Sequence, residues 1–256
     1  MKSKPKLRFK EELKKKKKAK SSFWLTFFIS GFVLLILAGL AAFATAGYVF
    51  YKYSEDLPDV NTLKGYLPST ITQIYSDQDE LIAEFYVEKR VIVPLEKIPL
   101  MLKQATLAVE DSDFYEHFGI NIKAILRAAL ANLRAGHVVE GGSTITQQLS
   151  KTIFLSRAKS LERKVREAIL AIRLEQSFSK DEIFELYLNQ IYYGHGSYGV
   201  EAAAQTYFGK HIQDLSIEEC AMLASLPKAP NYYSPYRNPQ QAHDRKNHAV
   251  RRMAAL

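Results

Sequence analysis

A chain of 256 residues with 47% hydrophobic content is long enough to bury the core of one or two domains. Its formal charge of +8 is concentrated at one end: residues 1–20 hold eleven Lys/Arg against Glu11 and Glu12, a local +9 that leaves the remainder at −1. A near-neutral body argues against a basic nucleic-acid-binding face, and a single cysteine, Cys220, excludes an intrachain disulfide and a thiolate metal site.

Residues 21–51 carry no charged side chain and are rich in Phe, Leu, Ile, Val and Ala. A bilayer core needs about twenty apolar helical residues, so this run predicts a transmembrane helix. It is longer than the roughly 7–15-residue apolar region of a cleaved signal peptide. The basic tail before it predicts a single pass with residues 1–20 in the cytoplasm and the rest outside. Residues 52–94 read as a linker, punctuated by Pro58 and Pro68, followed by a short β region. Alternating Ile, Tyr, Val and Phe predict a hairpin (72–75 and 81–86, turning over 76–79) and a third extended stretch over 90–94.

From residue 95 the apolar period becomes helical, and residues 95–256 read as one mainly α domain. Residues 98–110 and 122–133 carry apolar faces, and Gly136 is placed to stop the second helix. Ser160 caps a helix to about residue 176. Ser179 with Glu182, and Ser216 with Glu219, have the spacing of capping boxes. Asn238-Pro239 opens a last helix that runs into Leu256 without a glycine or polar tail to close it. The expectation is a piece of a longer protein, cut before a further domain.

Two segments hold the chemistry-bearing residues. Residues 110–119 read Glu-Asp-Ser-Asp-Phe-Tyr-Glu-His-Phe-Gly, and residues 141–151 read Gly-Gly-Ser-Thr-Ile-Thr-Gln-Gln-Leu-Ser-Lys. If Glu110 lies in a helix that continues, Phe114 and His117 share its face. Ser143 or Thr144 can open a helix whose first amides attract an anion, although the Gly-Lys-[Ser/Thr] of a Walker motif is missing. Arg163 and Glu167 stand at i, i+4. The Ser-x-x-Lys matches at 156–159 and 177–180 lack the partner motifs of serine acyl-enzymes and are chance. Tyr192, Tyr193, Tyr198 and Tyr207, among Gly194, Gly196 and Gly199, either stack on sugars or pack.

In order and spacing these segments resemble the signatures of the peptidoglycan glycosyltransferases. Glu110-Asp111-x-x-Phe114-x-x-His117-x-Gly119 is similar to the first, and Gly141 to Lys151 to the second. Arg163-Lys164-x-x-Glu167 is similar to the third, the Glu182–Asn189 run to the fourth, and residues 215–230 to the fifth. With the anchor, the resemblance is to the N-terminal half of a class A penicillin-binding protein and covers about residues 57–256. It implies a lysozyme-like fold and polymerisation of lipid II onto a growing glycan chain, with inversion and release of undecaprenyl pyrophosphate. Glu110 is then the general base on the acceptor 4-hydroxyl, with Asp111 and His117 orienting it and Phe114 limiting water. Thr144 and Gln148 place sugars, and Lys151, Lys159 and Arg163 meet the pyrophosphate. Glu167 acts on the donor side, where a divalent cation (Mg or Mn) is compatible though none is required by the sequence.

The resemblance also implies an inner-membrane setting, cell-wall synthesis proteins as partners, and a lobe over residues 118–139 against the membrane. Departures are Lys159 where many relatives have Arg, which loses bidentate phosphate contact, Thr152 in place of Asn, and Ser225 in place of Gly. Two other readings stay open at this point: a lytic enzyme on the same scaffold and a non-catalytic anchored scaffold.

Overall fold

The computed structural model describes residues 5–65, 72–85, 88–155 and 160–256, and divides into two units, residues 1–55 and 56–256. The first holds one long helix, α1 (Pro5–Ser54). Its Phe27–Ser54 stretch reaches a mean hydropathy of 2.5 over 18 residues and is long and apolar enough to cross a membrane.

The second unit is mainly α. After the hairpin β1 (Thr72–Tyr75) and β2 (Leu81–Phe85), antiparallel with an irregularity at Ile74/Tyr75, come β3 (Lys89–Arg90), α2 (Leu100–Glu110), α3 (Ile122–Ala135), α4 (Ile145–Phe154), α5 (Leu161–Ser177) and α6 (Lys180–Gln190). Then follow β4 (Tyr192–Gly194), β5 (Ser197–Tyr198), α7 (Val200–Phe208), α8 (Ile217–Ser225) and α9 (Pro239–Ala254). The helix starts follow their side chains: Thr144, Ser179 and Ser216 each close a capping box with Gln147, Glu182 and Glu219. Gly136 ends α3 in the left-handed region, φ 71°.

Helix α2 packs on α8 and α9, and α4 packs on α5 and α6. The apolar faces meet in one core containing Leu102, Phe114, Leu149, Leu170, Leu174, Phe184, Tyr187 and Leu223. Against this core, α3 is the exception. Its side chains Ile122, Leu126, Leu130 and Leu133 are exposed, and so is Val138 beyond it.

The extended stretch expected over 90–94 is corrected. Only Lys89–Arg90 is strand, and it pairs in parallel with β5 in a sheet of order β3-β5-β4 rather than with the hairpin. Residues 91–94 leave the ladder because a side chain replaces a partner strand. The Val93 N–H donates to Asn189 Oδ1 at 2.9 Å, and Asn189 Nδ2 donates to the Val93 carbonyl at 2.9 Å. The small sheet and α7, which has no side-chain cap, were not foreseen.

Gly119 ends the 110–119 segment with φ +77°, and a Cβ there would stand 2.9 Å from the Ala171 carbonyl oxygen on α5. Gly136 has a similar φ and nothing within 4 Å. Left-handed backbone alone costs an alanine about 1 kcal/mol, and a backbone clash cannot relax without moving α5. Gly119→Ala is therefore expected to destabilise the fold by about 3 kcal/mol and Gly136→Ala by about 1 kcal/mol, read from urea unfolding midpoints.

Candidate active site

The apolar face of α2 (Leu102, Ala105, Ala108) is buried, and the helix stops at Glu110. Asp111 leaves the helix with φ −163° while its amide still reaches the Leu107 carbonyl at 3.0 Å. The conditional reading that Glu110, Phe114 and His117 share one helical face is thereby corrected, because the chain turns instead. The turn is held by Asp111. Its Oδ2 accepts the Ile145 N–H at the start of α4 (3.0 Å) and bonds to His117 Nε2 (2.9 Å), so a carboxylate sits where the helix dipole favours one. Phe114 goes into the core, edge-on to Tyr115 and tilted on Phe184, with Lys180 Nζ 4.4 Å from its ring centre.

Helix α4 is placed by its glycine-led entry. A Cβ on Gly142 would meet Ile125 Cα of α3 at 2.9 Å, so the loop can pass only without a side chain. Thr144 then caps the helix, accepting from the Gln147 amide and donating to the Gly119 carbonyl at 2.7 Å. Gln148 and Lys151 follow on the same face, four and seven residues on. Gln148 Nε2 donates to Glu110 Oε2 at 2.8 Å, and Gln148 Oε1 faces the Tyr187 hydroxyl at 3.4 Å.

Across α4 lies α5, tied to it by Ser150 Oγ donating to the Glu167 carbonyl at 3.2 Å. The Glu167 side chain is 2% exposed, its Oε1 paired with Arg163 and its Oε2 with Lys164 Nζ at 2.6 Å. Lys164 also reaches Ser143 Oγ at 2.9 Å.

These parts line one cleft of about 820 Å³, with Glu110, Asp111, Thr144, Gln148, Lys151, Arg163 and Glu167 on its wall. Phe114 and His117 are not among the lining residues; they stand behind the wall and fix its shape. Among the described residues Glu110 is oriented by Gln148, not by Asp111 or His117 as expected from sequence. The Thr144 hydroxyl is committed to the backbone rather than open to a sugar. Lys159 lies outside the described residues.

The cleft has a second cationic side that sequence reasoning missed. Lys228 follows α8, while Arg245, His248 and Arg252 recur on one face of α9 at i, i+3 and i+7. Arg252 Nε donates to the Ala108 carbonyl of α2 at 3.0 Å, and among the described residues no carboxylate pairs with Lys228 or Arg245. That periodic basic stripe was the available signal.

Burial raises the proton affinity of Glu110 above the ordinary value of 4.5. The Gln148 hydrogen bond pulls it back, as do the charges of Arg245, Lys228 and Lys151. Lys228 is pushed down by burial and then by Arg245, and His248 by burial and its arginine and lysine neighbours. The arrangement is a carboxylate tuned toward proton acceptance between two groups of cations.

A family profile described as Transglycosylase matches residues 78–254. The chain belongs to the transglycosylase family. It is 48% identical over 225 residues to penicillin-binding protein 1A of Aquifex aeolicus, covering 88% of this chain and 30% of that protein. With penicillin-binding protein 1A of Escherichia coli it shares 46% identity over 227 residues, 88% of this chain and 27% of that protein. The chain thus spans under a third of the curated relatives it matches. The crystal structure of penicillin-binding protein 1A from Haemophilus influenzae aligns with a TM-score of 0.40 at 28% identity, over 73% of this chain and 18% of that one. The family match assigns residues 78–254 of this chain to a transglycosylase domain.

A buried carboxylate with a raised pKa favours the fold fully below pH 4.5, where it is protonated in both states. That contribution is lost as pH rises through the folded-state value. Glu110→Gln removes the buried charge, so its Tm is expected above that of the parent at pH 8, with the gap closing below pH 4.5, measured by differential scanning calorimetry.

Proposed function

We propose that this domain polymerises lipid II into β-1,4-linked glycan with inversion, releasing undecaprenyl pyrophosphate, and that Glu110 is the general base. The observation that carries this reading is the part-buried Glu110 carboxylate, raised in proton affinity and flanked by cations on both sides of one cleft. A base acting near neutral pH needs a pKa brought up toward that pH, and burial at the end of α2 does so. As the acceptor 4-hydroxyl attacks the donor's anomeric carbon, its proton passes to Glu110 and the bond to the pyrophosphate breaks. The leaving charge meets Lys151 and Arg163 on one side. Lys228 and Arg245 add positive potential from the other. Fixed cations in a cleft are worth more than in water because they need no reorganisation as charge develops.

Asp111 and His117 act at one remove, by fixing where α4 begins relative to α2. Gln148 holds the base rather than a sugar, and Thr144 holds the start of the helix that carries Gln148 and Lys151. Glu167 neutralises Arg163 and Lys164 in part, setting how strongly they grip the departing group. Both its oxygens are engaged by those cations, and among the described residues no three His, Cys, Asp or Glu could share a metal ion. These residues do not fit a divalent-cation cage, and no step is assigned to Mg or Mn.

The lipid tail of such a substrate stays in the bilayer, which gives the apolar stretch of α1 a purpose. In this reading the basic tail stays in the cytoplasm, the anchor lies in the inner membrane, and the domain works outside. The exposed apolar face of α3 suits contact with lipid rather than water. Cell-wall synthesis proteins are the proposed partners.

In an assay of lipid II polymerisation, Glu110→Gln should lose at least about 10²-fold in kcat, with an unchanged circular dichroism spectrum. Lys151→Ala and Arg245→Ala should each lose about 10²-fold in kcat/KM. Full polymerisation by Glu110→Gln would remove the base assignment. Release of soluble fragments from finished cell wall would favour a lytic enzyme, and folded protein with no lipid II binding would favour a scaffold.

A further inference from the structure

A helix that stops leaves its last carbonyls without donors from the next turn, and α2 stops at Glu110. The Leu107 carbonyl keeps a main-chain partner, the Asp111 N–H at 3.0 Å. The Ala108 carbonyl would next take the Ser112 N–H. Asp111 leaves the helix with φ −163° and ψ 82°, and among the described residues no main-chain N–H beyond it reaches Ala108. A side chain from α9 does so instead: Arg252 Nε donates to the Ala108 carbonyl at 3.0 Å, across 144 positions of sequence.

Basic side chains commonly close helix C-termini in this way, and here the closure lies two residues before the base. Ala108 is 3% exposed, so water is a poor substitute, and an unmet buried carbonyl costs about 1–3 kcal/mol. Ala108, Glu110 and Arg252 all border the one cleft. Gln148 on α4 holds the Glu110 side chain at 2.8 Å, while α9 holds the main chain that carries it. The basic stripe on α9 thus divides its work. Arg245 acts on Glu110 through its charge, and Arg252 through the backbone.

We propose that Arg252 is a positioning residue: its Nε–H on the Ala108 carbonyl fixes the last turn of α2 and with it the placement of Glu110. This rests on the reading of Glu110 as the base and adds what aims it. Small displacements of a reacting group are costly, because proton transfer needs hydrogen-bond reach and alignment. A frayed last turn would let the carboxylate drift while Gln148 held only its tip. Arg252 needs no contact with substrate for this.

The test uses the full chain in detergent, with lipid II as substrate, and compares two replacements. Arg252→Met keeps the apolar stem and loses every donor. Arg252→Gln loses the charge and the terminal nitrogens but carries an N–H as far along the side chain as Nε. Arg252→Met should lower kcat about tenfold and leave KM within about twofold, and Arg252→Gln should recover kcat to within about threefold of the parent. In a Glu110→Gln background, with no base left to aim, Arg252→Met should cost less than about twofold. Exchange of the Asp111 amide, read by NMR, should be about tenfold faster in Arg252→Met and restored in Arg252→Gln. A raised KM at unchanged kcat overturns the proposal in favour of a direct hold on the diphosphate. So does an Arg252→Gln as impaired as Arg252→Met, which would make the charge decisive; this arm decides the matter if Arg252→Met does not fold. A lower melting temperature with parental kcat, equal losses in both backgrounds, or an unmoved Asp111 amide overturns it too. Should Glu110→Gln keep polymerising, the base reading fails separately, and the amide exchange still decides the clamp.

Discussion

The site depends on keeping one carboxylate out of water without letting it become inert. A glutamate at a helix end is normally hydrated and weakly basic. At position 110 the wall formed by α2, α4 and the segment after α8 strips water from it, which favours the proton-bearing form. Gln148 and the surrounding cations act the other way. Each unit of displacement is about 1.4 kcal/mol, so a modest imbalance decides whether the group can take a proton and give it up again. The packing of α2 on α8 and α9, and of α4 on α5 and α6, is what holds these opposing influences at fixed distances.

Much of the helical frame could be read directly from the residues, because capping is a local event. Ser179/Glu182 and Ser216/Glu219 need only their own turn to satisfy the first amides, and Gly136 needs only its own left-handed backbone. The small sheet was hidden because β3 and β5 are two residues each and more than a hundred positions apart. No local period announces such a pairing. Helix α7 opens on a glycine without a side-chain cap, so its start carried no signal.

The site was legible in its inventory and less so in its geometry. The family resemblance placed Glu110, Gln148, Lys151, Arg163 and Glu167 in one motif set, and all five line the cleft. It could not show that Phe114 turns into the core, since that follows from the helix ending at Glu110. Nor did it show that the Thr144 hydroxyl is spent on the Gly119 carbonyl. The α9 stripe went unnoticed because its charges look like an ordinary solvated face until Arg252 is seen bonded to the end of α2.

The clasp between Asn189 and Val93 joins residues 96 positions apart through a side-chain amide, not a ladder. Excising the chain before residue 95 would strand the Asn189 Oδ1 in a dry interior, at a cost of about 1–3 kcal/mol, and leave its Nδ2 only the Glu185 carbonyl. The short stretch leading into α2 is therefore a structural tenon: an engineered fragment has to begin upstream of it, however helical the remainder looks.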